Sequence, residues 1–361
     1  MSGTVCTHKP HCSEYAKQCF QKYPFHKALV YTIERIMTCT PSRIIKNDPS
    51  TYKVVFASWS PIWVPFLESL MDDPHFDVVW VMCSPDKAVG RWHKIRENII
   101  KKTYTDLWGS NIMQPHSLRL TSKKYADEAT QTKQQLIDLK PDFLVVVAYG
   151  YLLPQHILDI PSIAPINVHG SLLPKYRGAS PIQSVFLHQE LESGITIMLM
   201  SAGMDEWDMI TKLKTKLALD RTATDLMHWM MEHGPKHLNK TLRDYGKKLV
   251  SATPQDDKEA THCGKIAKED GLIDPRKDSL QDVYIKYQAY AMRPKIYFIY
   301  NNKRVIIESI ELISDSRKLL NTDICIWKDN RPNSSIKQLI CKPEGKKAMT
   351  WDNFVRGWIQ Q

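Results

Sequence analysis

With 361 residues, 43% of them hydrophobic and 24% charged, the chain has the composition of a globular protein long enough for roughly two domains. Lys and Arg outnumber Asp and Glu by 49 to 39, and the net charge of +10 favours a polyanionic partner. No apolar run approaches the roughly 18 uninterrupted residues of a membrane helix, so no transmembrane segment is expected and the chain is read as soluble.

Residues 1–50 lack a clean periodic pattern, although Phe25 to Met37, just after Pro24, can form one short helix. The stretch is more basic than acidic, as a transit peptide would be, but lacks the Arg and Ser enrichment of one. It is read as an extension with no assigned role. Cys6, His8, His11, Cys12 and Cys19 do not show the paired short spacings of a zinc site, and no metal is expected. The 8 cysteines of the chain suit free thiols in a reducing compartment.

From Lys53 the run KVVFAS predicts a strand, and Pro61 opens an amphipathic helix reaching Leu70. Phe76 to Ser84 predicts a second strand and a long polar loop. Asn111 to Met113 and Tyr125 to Leu139 then give a strand and a helix, and Asp142 to Gly150 a fully buried strand. This alternation predicts a parallel sheet with helices on both faces. FASWSPIW after the first strand has no glycine, which disfavours NAD binding, and no P-loop lysine motif occurs.

Next comes INVHGSLLPKYRGASPI, Ile166 to Ile182. Period-two geometry puts Asn167 and His169 on one face of a strand end. Ile195 to Met200 predicts another strand, GMDEWDMITKLK a turn into a further one, and Thr222 to His233 a helix. Polar residues through about Lys268 read as a linker. YFIY, RVIIESIEL, ICIW and QLICKP then suggest a small β-barrel or related all-β module.

Taken alone, an N-x-H strand end is more often structural than catalytic. With Asp205 arriving in the turn after another strand, however, the three form a coherent set at the carboxyl edge of a parallel sheet. Asn167 can donate to a developing oxyanion, His169 can donate or shuttle a proton, and Asp205 can hold the imidazole charged and oriented. No G-x-S-x-G elbow is present, so direct attack of a substrate amine on a carbonyl fits better than a serine nucleophile.

The strings VVVAYGYLLP, INVHGSLLPKYRGASPIQ, SGITIMLMSAGMDEWDM and KIAKEDGLID, in that order, resemble methionyl-tRNA formyltransferases. The resemblance runs from about Lys53 to Arg356. It implies an α/β, Rossmann-like formyltransferase domain with a parallel-rich sheet over residues 51–245, a linker at 246–268, and an OB-like β-barrel at 269–361 that binds tRNA. The implied donor is 10-formyltetrahydrofolate and the acceptor the amine of methionine on initiator tRNA, formylated for translation initiation. Asn167, His169 and Asp205 fall on the family's catalytic trio. Asn167 and His169 would face the formyl oxygen, with Asp205 stabilising the histidinium. Ser171, Leu172, Leu173 and Pro174 fall on the folate-binding loop, with Tyr149 and Gly150 beside it. The loop after the second strand carries Lys87, Arg91, Trp92, Lys94, Arg96 and Lys101, which would meet the tRNA acceptor stem. A monomer in the cytoplasm or an organelle matrix is expected.

Two positions depart from the family pattern. Ser58 to Ile62 replace a G-T-P-[DE]-F turn, and Trp207 stands where L-D-T-G-D-M has glycine. If that glycine has positive φ, Trp207 must strain the backbone or the turn must change shape. The expected consequence is a reshaped acceptor pocket. A formyltransferase for another amine, such as an amino sugar nucleotide, and an inactive RNA-binding relative are the alternatives.

Overall fold

The computed structural model describes residues 12–22, 25, 28–29, 32, 51–89, 94–107, 109–313, 327–328, 331–332 and 335–359. The chain divides into two compact units. One comprises Met1–Val168, Leu199–Ala202 and Pro235–Ser251, and the other His169–Met198, Gly203–Gly234 and Ala252–Gln361. Most of the expected Phe25–Met37 helix and of the ICIW strand lies outside the described residues.

The first unit contains α1 (Cys12–Lys22), β1 (Tyr52–Ala57), α2 (Val64–Asp72), β2 (Phe76–Met82), the hairpin β3 (Lys87–Val89) and β4 (Lys94–Arg96), α3 (Ile99–Asp106), β5 (Ile112–Met113), α4 (Ala126–Leu139), β6 (Phe143–Val146), α5 (Gln155–Leu158) and β7 (Ala164–His169), whose last residue belongs to the second unit. Its sheet runs β7-β6-β1-β2-β5 with every pair parallel. Such strands need apolar side chains on both faces. Val54 to Ala57 and Phe143 to Val146 accordingly lie at 5% exposure or less. One core cluster gathers Val55, Ala57, Met82, Leu136, Leu144, Val146 and Tyr149. Because the strands are parallel, their carboxyl ends share an edge, which places Trp59, Gly150 and Asn167 along it.

The second unit contains β8 (Arg177–Gly178), α6 (Pro181–Leu187), β9 (Glu192–Leu199) and β10 (Met209–Lys216). These are followed by α7 (Ala223–Gly246), β11 (His262–Cys263), α8 (Leu280–Ala289), β12 (Tyr297–Tyr300), β13 (Lys303–Leu312), β14 (Trp327–Lys328), β15 (Arg331–Pro332), β16 (Ile336–Pro343), β17 (Met349–Thr350) and α9 (Trp351–Phe354). β9 and β10 form an antiparallel hairpin, β8 pairs with β11, and β12-β13-β16-β17 make an antiparallel sheet. Phe298, Trp351 and Phe354 pack together against that sheet.

Helix α7 runs past the end expected at His233, through Pro235 and into the first unit. Proline normally ends a helix because it lacks the N–H and crowds the preceding turn. Here the distal half is held by its own contacts. Asn239 Nδ2 donates to Ser69 O at 2.9 Å, and the Arg243 guanidinium pairs with Asp73. Among the described residues, no helix is long and apolar enough to cross a membrane.

Candidate active site

His169 ends β7 with only 5% of its surface exposed. Its Nε2 lies 3.0 Å from the carbonyl oxygen of Tyr176. A carbonyl only accepts, so Nε2 carries the proton and donates it there. Nδ1 is left facing Asp205, 3.7 Å from Oδ2. That separation exceeds a hydrogen bond, so the carboxylate is a near neighbour of Nδ1 and not its hydrogen-bond partner.

Asp205 is held from its other side, since Gly178 N–H donates to Oδ2 at 2.9 Å. The residue at left-handed φ in this turn is Asp205 itself, at 56°, and Trp207 is not among the positive-φ residues. The glycine-to-tryptophan departure therefore adds no left-handed strain at Trp207. The strained conformation falls on an aspartate, a residue type that tolerates it. Trp207 is 48% exposed, leaving its indole available to a ligand.

Tyr176, whose carbonyl takes the His169 proton, also has positive φ, at 63°. Its hydroxyl donates to Glu190 at 2.7 Å, and Lys175 Nζ lies 2.8 Å from the same oxygen. Burial first and Glu190 second push the Tyr176 phenol up, so it stays protonated and keeps that bond. Gly178 sits at φ 125°, where a Cβ would lie 2.2 Å from the Cys263 carbonyl oxygen. Only glycine fits there. Gly178→Ala is expected to destabilise the protein by more than about 1 kcal/mol, seen as a lower thermal midpoint.

The expected folate loop is built on internal bonds. Ser171 Oγ donates to Lys175 O at 2.7 Å, Thr196 Oγ1 donates to Ser171 O at 2.7 Å, and Leu173 N donates to Thr196 Oγ1 at 3.1 Å. Leu173 and Pro174 are buried and Leu172 is half-buried. Tyr149 lies in the apolar core of the first unit, its phenol pushed up by burial. Gly150 is exposed at φ 78°, and the Trp59 indole lies 3.0 Å from where its Cβ would be.

Of the residues expected to meet tRNA, Arg91 and Trp92 lie outside the described residues. Lys87, Lys94 and Arg96 lie on the β3–β4 hairpin, with Lys87 opposite Arg96 and Arg96 exposed. Lys101 is engaged, its Nζ 2.7 Å from Asp86 and 3.6 Å from Glu97. Burial works to raise the Asp86 carboxyl, but bonds from Lys101, Gln114 and the Asn98 N–H overcome it and hold it at about 2. A depressed acid stabilises the fold above its unfolded value of about 4, and that contribution is lost as pH falls through the folded value. Asp86→Asn is therefore expected to be less stable than wild type at pH near 7, with the difference fading between about pH 4 and 2 in acid-unfolding curves.

Two residues at the site were not legible as functional. Arg177 is 4% exposed and donates from Nε to Gln255 Oε1 at 3.0 Å, and Gln255 Nε2 donates to the carbonyls of Asp205 at 2.8 Å and Trp207 at 2.6 Å. The one signal in the sequence was R-G in a polar loop, where a glycine before small residues marks a special backbone. Among the described residues, no group of three or more His, Cys, Asp or Glu is placed to hold a metal ion.

The Formyl transferase family model matches residues 53–242. The methionyl-tRNA formyltransferase of Clostridioides difficile is 31% identical over 310 residues, 84% of this chain and 96% of that protein. The chain belongs to the methionyl-tRNA formyltransferase family. Another member, from Idiomarina loihiensis, is 40% identical over 222 residues, 62% of this chain and 67% of its own length. The fold is also that of HypX from Aquifex aeolicus, crystallised with tetrahydrofolic acid, at a TM-score of 0.54 and 13% identity over 86% of this chain and 48% of that one. Residues 1–51 match a different family, described as "Putative membrane protein insertion efficiency factor". The formyltransferase family match thus begins where the described parallel sheet begins.

Proposed function

We propose that the chain transfers a formyl group from 10-formyltetrahydrofolate to the amine of methionine esterified to initiator tRNA. The observation that carries this reading is the setting of His169, with Nε2 capped by the Tyr176 carbonyl and Nδ1 turned to Asp205 at 3.7 Å. Asn167 stands two residues earlier on the same strand. In the reaction the amine nitrogen bonds to the formyl carbon, giving a tetrahedral intermediate whose oxygen carries negative charge. Collapse breaks the bond from that carbon to N10 of the folate. One proton leaves the amine and one reaches N10.

Asn167 donates its amide N–H to the developing oxyanion. His169, charged beside Asp205, donates its Nδ1–H to the same oxygen, because its other nitrogen is already committed. Preorganised donors of this kind need no rearrangement as charge develops, which is their advantage over water. Asp205 balances the imidazolium and takes part in removing the amine proton. The Ser171 to Pro174 loop, tied to Thr196, presents a fixed backbone edge to the folate, and Gly150 is read as a further folate-binding residue.

For the acceptor, Lys87, Arg91, Lys94 and Arg96 contact acceptor-stem phosphates and Trp92 stacks on a base, while Lys101 braces the hairpin base through Asp86. The C-terminal antiparallel sheet is read as the OB-like tRNA-binding module, a reading supported by the 96% coverage of the Clostridioides difficile relative. The match of residues 1–51 to another family supports treating that stretch as a module separate from formyl transfer. The test uses purified chain, isotope-labelled formyl donor and charged initiator tRNA, followed by deacylation. Labelled formylmethionine supports the reading, and its absence refutes it.

A further inference from the structure

Residues 253–264 bind to the catalytic turns at several successive points. Thr253 and Met209 exchange backbone bonds at 2.8 and 2.9 Å, just after the Asp205 turn. Thr261 Oγ1 accepts from Tyr176 N at 2.8 Å, and its carbonyl accepts from Arg177 N at 2.8 Å. Ala179 N donates to Cys263 O at 3.1 Å, and Ser180 Oγ donates to Gly264 O at 2.6 Å. The segment is a strap across the strand that holds both catalytic side chains, His169 through Tyr176 O and Asp205 through Gly178 N.

Gln255 is a side chain of the strap that reaches the Asp205 turn itself. Its amide donates to the carbonyls of Asp205 and Trp207, while its oxygen accepts from the buried Arg177 guanidinium. Arg177 is held in turn by Asp257, at 2.8 Å. Asp205 and Tyr176 both lie at positive φ, a costly conformation for residues other than glycine that persists only where surrounding bonds over-determine it. Gln255 supplies two of those bonds, both on the residues of the turn.

We propose that Gln255 is a positioning residue for formyl transfer, fixing the Asp205 turn so that the carboxylate stands beside His169 Nδ1. The claim rests on the reading of His169 and Asp205 given above. The bonds of Gln255 run to the backbone of the Asp205 turn and to Arg177, so its loss is expected to act on turnover more than on binding.

The test compares the full chain with Gln255→Met, which keeps the length and loses every polar contact, and Gln255→Glu, which keeps the acceptor for Arg177 and loses the donors to the turn. Both are expected to lower kcat by roughly 100-fold, the order that a misplacement of about 1 Å costs, with KM for each substrate within about 3-fold of wild type. Hydrogen exchange at residues 203–209 should accelerate in both variants. Exchange in β9 and the thermal midpoint should stay near wild type, which separates lost positioning from lost folding. A kcat within about 3-fold of wild type in either variant, or a loss that follows the unfolded fraction, overturns the proposal. A wild-type chain without transferase activity overturns the underlying reading. In that case exchange still decides the geometric claim, and an equally protected turn in Gln255→Met overturns it.

Discussion

Asn167→Ala is expected to lower kcat for formyl transfer by about 100- to 1,000-fold, the loss typical of one oxyanion donor and equivalent to about 3 kcal/mol. The KM of either substrate should change little, because on the proposed mechanism the donor serves the charge that appears only as the amine attacks. Asn167 pairs through its backbone with Val146 on the parallel neighbour β6, so the ladder does not depend on the side chain. The folded state should therefore survive the substitution. A loss appearing in KM with kcat preserved would place Asn167 in substrate binding instead.

Asp205→Asn is the second substitution with a large expected effect, roughly 100- to 10,000-fold in kcat, the range of acid–base contributions from a positioned side chain. The variant keeps the shape of the turn and can still accept the Gly178 N–H, but it removes the negative charge 3.7 Å from His169 Nδ1. On the proposed mechanism His169 then loses its charged neighbour and the amine proton its acceptor. Because the two side chains act as a unit, combining Asp205→Asn with His169→Ala should cost little more than the worse single change. Additive losses in single-turnover rates would show that the residues act separately.

Much of this arrangement could be read from the residues themselves. Apolar runs such as KVVFAS and DFLVVV had to be buried strands, and the alternation with amphipathic helices dictated a parallel sheet. That sheet in turn put Asn167 at its carboxyl edge, with His169 on the same strand end. The strand from Asp142 proved shorter than expected, ending at Val146, because Ala148 and Gly150 take positive φ and turn the chain away from the ladder.

Other features were hidden for physical reasons. The β3–β4 hairpin has three-residue strands rich in charge, too short for any alternation to show. Helix α8 was not expected, although Ser279, whose hydroxyl accepts from Asp282 N, forms an S-x-x-D cap among otherwise polar residues. The part of α7 beyond Pro235 depends on Asn239 meeting Ser69, 170 residues away, and local propensity cannot register such a contact. Gln255 and Arg177 belong to the same class, since 78 residues separate them and each is unremarked in its own neighbourhood. The stretch expected to be a linker contains the strap, which bonds to the site largely through its own backbone, so its side chains gave little sign of it.

The most direct measurement offers purified chain and 10-formyltetrahydrofolate an equal supply of charged initiator tRNA and an amino sugar nucleotide in one reaction, with products identified by mass. The account predicts formylated methionyl-tRNA, absent from an Asn167→Ala control, and an unmodified sugar. Formylated sugar with unmodified tRNA, or no product above the control, would contradict it.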